Sequence, residues 1–156
     1  MMRGDEIDRE FRAIVFDFFY WFSRFEFALK ERRYLKSHVV GRKAEPSWKE
    51  FWEAHEGAYK LTPAAKALIA AKPERQIVGE PDHDFEEPPI PEDASDLQAL
   101  TIYVRTVRNN LFHGGKHGLS YWSDPPRTRL LLTTTITILD ELARLGGFGG
   151  DYDLYY

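Results

Sequence analysis

Residues 96–113 read DLQALTIYVRTVRNNLFH, and this stretch decides the fold class. Leu97, Leu100, Thr101, Val104, Val107, Leu111 and Phe112 recur at spacings of three and four, which lines one face of a helix. Ser95 or Asp96 supplies a start and Gly114-Gly115 a stop, so the spacing predicts a helix ending at His113.

Downstream, Asp124-Pro125-Pro126 resembles another helix start, with Asp124 as N-cap and Pro125 at the first helical position. The run from Thr133 to Thr137 is β-branched and favours a strand. Leu132, Ile136, Leu139 and Leu142 nevertheless keep one helical face apolar, and Gly146-Gly147 closes the segment, so residues 127–145 are expected to be helical. Phe148 to Tyr156 form an aromatic, glycine-punctuated tail that either frays or packs against a partner.

Upstream, residues 73–95 combine five prolines with a dense run of carboxylates and read as an exposed, partly extended excursion. Before it, Ser47 and Glu50 form a capping box ahead of Trp48, Phe51 and Trp52, and Thr62-Pro63 opens an alanine-rich helix. These two pieces are expected to form a short antiparallel hairpin. From Asp5 to about Leu35 there is neither proline nor glycine, and Phe11, Ile14, Val15, Phe18, Phe19, Phe22, Phe25 and Leu29 share a helical stripe, with a break expected near Ser37 to Gly41. Glu26 lies on that apolar side, where a buried carboxylate needs a partner. The sum is an all-α bundle of four to five helices with an acidic, proline-rich insertion. One domain is expected over residues 1–147, including the excursion 73–95, followed by a tail over 148–156.

At 156 residues with 43% hydrophobic content, the chain can close one sizeable core but not two. It has no cysteine, which excludes disulfides, thiolate metal ligands and cysteine nucleophiles and makes a cytoplasmic location the default expectation. Charges interrupt every long apolar run, so no membrane association is expected. The net charge is -4, but residues 74–96 hold nine carboxylates against Arg75, a local -8 that leaves +4 elsewhere. Cations concentrate at Arg24, Lys30, Arg32, Arg33, Lys36, Arg42, Lys43 and Lys49 and again at Arg105 and Arg108, a distribution that permits an anionic substrate.

The polar end of the 96–113 helix carries the candidate chemistry. Asn109 and His113 are four residues apart and share a face, whereas Arg108 and His113 are separated by about 140° around an ideal helix. One copy would gather both only if the arginine curled inward or the last turn distorted; two copies about a twofold axis would bring them around one groove more easily. Histidine can take the proton of an attacking 2'-hydroxyl or give one to a leaving 5'-oxygen. A fixed guanidinium can hold the phosphate and offset charge on its nonbridging oxygens. Asn109 can orient either group.

Other constellations are weaker. His83 sits among Asp82, Asp84, Glu86 and Glu87, but without a thiolate or a paired-histidine signature, so neither a metal nor another cofactor is expected. His38 and His55 read as surface or packing residues. Trp48, Trp52, Tyr59 and Trp122 offer a possible stacking surface for bases, although the spacing of Trp48 and Trp52 suits core packing better. Neither glycine cluster has the spacing of a phosphate loop.

Arg108-Asn109-Asn110-Leu111-Phe112-His113 resembles the motif of the HEPN superfamily, an arginine followed after four to six residues by a histidine, and Asn109 matches its polar residue after the arginine. Gly114-Gly115-Lys116 is similar to a frequent bacterial continuation. The resemblance is concentrated in about ten residues, with a compatible helix order over about 5–145. It implies a four- to five-helix bundle, a homodimer, and a metal-independent endoribonuclease of the toxin or antiviral kind, with an RNA substrate and a cognate antitoxin as partners. Arg108 would then bind phosphate, His113 act as acid or base, Asn109 support them, and Glu26 orient the guanidinium. The alternative that the resemblance also implies is a noncatalytic nucleotide-binding, RNA-binding or assembly module.

Overall fold

The computed structural model describes residues 8–113 and 126–153. It is an all-α bundle with one small hairpin: α1 (Arg9–Glu31), α2 (Trp48–His55), α3 (Pro63–Ala71), β1 (Arg75–Ile77), β2 (Asp84–Glu86), α4 (Asp96–Phe112), α5 (Pro126–Leu145) and α6 (Gly149–Asp153). The expected helix starts are visible as side-chain caps. Ser47 Oγ accepts the Glu50 N–H, Thr62 Oγ1 that of Ala65 and Ser95 Oγ that of Gln98.

The first helix holds the whole apolar stripe but ends before the break expected near Ser37 to Gly41. It stops at Glu31 because Arg33 adopts a left-handed conformation, with φ of 63°. Arg33 N–H then donates to the Lys30 carbonyl at 3.0 Å and Tyr34 N–H to that of Leu29 at 2.9 Å. This is the Schellman closure usually built on glycine. The same closure recurs after α5, where Gly147 (φ 68°) donates to Arg144 and Phe148 to Ala143.

Helix α5 tolerates its threonines by folding their hydroxyls back onto the preceding turn. Thr133 Oγ1 donates to the Arg129 carbonyl at 3.1 Å and buried Thr135 to that of Leu131 at 2.7 Å. Leu132, Leu139 and Leu142 are fully buried, so packing overrides β-propensity. The expected start at Asp124-Pro125 and the stop at Gly114-Gly115 lie outside the described residues.

The short α2 and α3 do not form a hairpin with each other. Helix α2 packs mainly on α4, while α3 packs on α5 and α4. Past Gly147 the chain enters its own core: Phe148 is fully buried among Phe25, Tyr34 and Phe51, and Tyr152 packs against Trp21 with ring centroids 4.9 Å apart and planes tilted by 37°. Arg32 Nη2 donates to the Gly147 carbonyl at 2.6 Å, and Arg24 donates to the carbonyls of Asp151 and Tyr152. Two of the cations that made the first helix look basic are thus engaged in holding α6.

The acidic excursion contains an antiparallel pair in which Arg75 faces Glu86 and Ile77 faces Asp84. Contacts with α4 fix it in place. Asn110 Nδ2 donates to the Glu74 carbonyl at 2.8 Å and Tyr103 Oη to Glu87 Oε1 at 2.8 Å. No helix among the described residues is long and apolar enough to cross a membrane.

Candidate functional site

The register of α4 is set by Leu100, Val104, Val107 and Leu111, all buried against the bundle. That face directs Arg105, Arg108 and Asn109 toward the outside of the helix, where α1 and the loop before α2 approach. A pocket of about 370 Å³ opens there, and Arg108, Asn109 and Glu26 all line it. Three of the four residues singled out by sequence therefore meet in one cavity.

Arg108 is held by shape and ring faces. Its guanidinium carbon lies 4.3 Å from the Phe112 ring centroid and 5.8 Å from that of Phe22, both within cation–π range. Nη1 donates to Asn109 Oδ1 at 3.0 Å, while the buried Nε makes no hydrogen bond. The geometry gives Asn109 a direct orienting contact with the arginine.

Glu26 has a different partner from the one expected. Trp48 Nε1 donates to Glu26 Oε2 at 2.9 Å, satisfying the half-buried carboxylate from α2. No ion pair links Glu26 to Arg108 among the described residues. Trp48 itself is buried against Phe22 and Phe25, so its ring is unavailable for stacking on a base.

His113 is the C-cap of α4, with its backbone N–H on the carbonyls of Asn109 and Leu111 and its side chain exposed. It does not line the pocket with Arg108. The separation expected from helical angles is present in the fold: one chain holds arginine, asparagine and glutamate together and leaves the histidine outside the pocket. Next to it, Phe112 and Phe19 touch with centroids 5.9 Å apart and remain 42% and 52% exposed. With Val15 and Leu111 they line an apolar depression of about 430 Å³, and Phe16, one turn away, is 65% exposed.

Sequence reasoning missed the role of Asn110, which ties the acidic hairpin to the motif helix, and the loop lysines Lys36 and Lys43, which face Arg105 and Arg108 across the pocket. Only their charge signalled them. Of the other candidates, His38 pairs with Glu50 at 2.7 Å, which holds that carboxylate below its usual range. His55 packs on Phe51 and meets Tyr34 Oη at 3.0 Å, and burial lowers its pKa. Trp52 is partly buried against the core, and His83 is exposed beside the hairpin turn. His117, Lys116 and Trp122 lie outside the described residues.

No family model, curated protein or solved structure matches the chain.

Proposed function

We propose that the protein is an endoribonuclease whose active site is completed by a second copy of the chain, and that it acts without a metal. The observation that carries this reading is the split of the motif. Arg108 and Asn109 line a cationic pocket with Glu26, His113 stands outside it, and an exposed aromatic patch adjoins the gap. Exposed aromatic clusters beside polar groups are typical of protein interfaces. A twofold contact through Phe16, Phe19 and Phe112 would carry the His113 of one copy toward the Arg108 of the other.

In the composite site the 2'-hydroxyl attacks the adjacent phosphorus. The new O2'–P bond forms as the P–O5' bond breaks, and the His113 of the other copy takes the proton from the 2'-oxygen and passes it to the departing 5'-oxygen. Arg108, oriented by Asn109, bears the charge that builds on the nonbridging oxygens. Glu26 acts at one remove, fixing the pocket wall through Trp48. The products are a 2',3'-cyclic phosphate and a 5'-hydroxyl. A role as a toxin or defence component, with a cognate antitoxin as partner, accompanies this reading on the strength of the motif resemblance.

The test is cleavage of structured and unstructured RNAs in EDTA with analysis of the product ends. Wild type should cleave and leave the cyclic phosphate, and H113A should lose about 10²–10⁴-fold while keeping its fold and much of its RNA binding. Cleavage that disappears on chelation, or an unchanged H113A, would overturn the mechanism. RNA binding without any cleavage would favour the noncatalytic module.

A further inference from the structure

The pocket beside Arg108 holds more positive charge than one phosphate requires. Lys30 from α1, Lys36 and Lys43 from the loop that follows, and Arg105 and Arg108 from α4 share its walls. Two carboxylates accompany these five cations. Glu26 is occupied by the Trp48 indole, and Glu45 pairs with Lys43 at 3.3 Å. The pocket therefore carries an excess of three positive charges within about 370 Å³.

The loop that brings the lysines is fastened at both ends. Leu35 and Pro46 form an antiparallel bridge, Lys36 N–H donates to the Glu45 carbonyl at 3.0 Å, and Ser47 N–H donates to that of Tyr34 at 2.9 Å. Leu35 N–H reaches Glu50 Oε2 at 3.1 Å, and that carboxylate's other oxygen meets His38. The cations are thus gathered by a braced loop, although like charges in a concave space repel one another. The aromatic rings in the wall, Phe22 and Trp48, are each only 3% exposed. The pocket offers charge and donors rather than a flat apolar face, which selects against a nucleobase as its occupant. Beside it along α4, a second pocket that Arg105 and Asn109 also line is walled by Arg75 and Gln76 of the hairpin, whose carboxylates Glu74, Glu80, Asp82, Asp84, Glu86 and Glu87 disfavour anions on that flank.

We infer that the Lys30, Lys36, Lys43, Arg105 and Arg108 pocket is a binding site for a chain of consecutive phosphates. Its source is either the backbone of an RNA strand next to the cleaved bond or the polyphosphate group of a small ligand. Only the first source rests on the ribonuclease reading, so binding is measured separately from cleavage.

Calorimetric titration of the intact chain with tripolyphosphate, and in parallel with a short oligouridylate, distinguishes the sources. Lys36→Glu with Lys43→Glu should weaken binding on the order of tenfold or more at low salt. Lys60→Glu with Lys66→Glu, exposed residues outside the pocket, makes the same charge change and should weaken it far less. Loss of both probes in the pocket variant identifies a general phosphate-chain site, and binding of the oligonucleotide alone assigns it to the strand backbone. Equal weakening in the two double variants, or no binding of either probe, overturns the inference. Should the glutamate pair fail to fold, Lys36→Gln with Lys43→Gln, matched to wild type in thermal unfolding, serves in its place.

Discussion

The two ends of α1 use the same residue types to opposite effect. Toward its C-terminus, Phe25 meets Phe51 and Phe148 in a fully buried cluster, and the nearby cations Arg24 and Arg32 bond to α6. Toward its N-terminus, Phe16 and Phe19 stand exposed beside Phe112, and the neighbouring Arg108 keeps a buried Nε without a hydrogen bond. One end is finished by the chain's own tail. On the other face Phe16 and Phe19 stay open among the described residues, and Phe112 of the motif helix lies against Phe19. Aromatic density marks a potential for burial, and the partner segment decides whether it is realised.

The largest expected effect breaks this contrast from the finished end. Phe51→Ala should cost about 3–5 kcal/mol of stability through lost burial and a cavity, whereas Phe19→Ala should change monomer stability by within about 0.5 kcal/mol. In the proposed dimer the second substitution occurs twice, so self-association should weaken by about tenfold to 10²-fold. Denaturant unfolding at low concentration and sedimentation at micromolar concentration measure the two. Equal stability losses would erase the distinction between the ends.

Alkaline pH probes the groups that fasten the middle of the molecule. Burial, then the hydrogen bond to Glu87, raises the Tyr103 hydroxyl to about 12, and burial with nearby Glu141 raises Tyr59 to about 12. A group whose folded pKa is raised stabilises fully below its unfolded value, near 10 for tyrosine, and the contribution is lost as pH climbs through the folded value. Stability should therefore fall between pH 10 and 12, on the order of 2 kcal/mol per tyrosine. Tyr103→Phe, which cannot ionise, should show a shallower decline in urea midpoint across that window. An identical decline would show that Tyr103 does not drive it.

How far the sequence reveals this molecule depends on how local the determining interaction is. The starts of α2, α3 and α4 are legible because Ser47, Thr62 and Ser95 cap their own helices three residues on. The end of α1 is not, because Arg33 takes a conformation that usually announces itself with glycine. The docking of Phe148 and Tyr152 is equally hidden, since its contacts with Phe25, Arg24 and Arg32 span more than a hundred residues of chain. The hairpin's short strands disappear into a proline-rich composition and rely on Asn110 and Tyr103 for their position. For the site, helix angles suffice to separate Arg108 from His113, whereas the place of Glu26 in the stripe says only that it needs a partner, which Trp48 supplies at the wall of the pocket that Arg108 shares. Lys36 and Lys43 arrive through a loop closure that no spacing rule encodes.

A smaller effect sharpens the account of α1. Arg33→Gly removes the side-chain penalty at a left-handed position, partly offset by the freer unfolded chain, and should stabilise by about 0.5–1 kcal/mol in thermal unfolding. A destabilised variant would show that the Arg33 side chain contributes more than its conformation costs.

The most direct test of the open end mixes two inactive proteins. If Arg108 of one copy works with His113 of the other, a heterodimer of R108A and H113A contains one intact composite site and one doubly defective site. With random exchange, cleavage should recover to about a quarter of the wild-type rate, since half of the dimers are mixed and each has one working site of two. Native mass spectrometry of the mixture verifies that heterodimers form. Recovery toward that level is the predicted result. Mixed dimers as inactive as either parent, beside an active wild type, would contradict a site shared between copies.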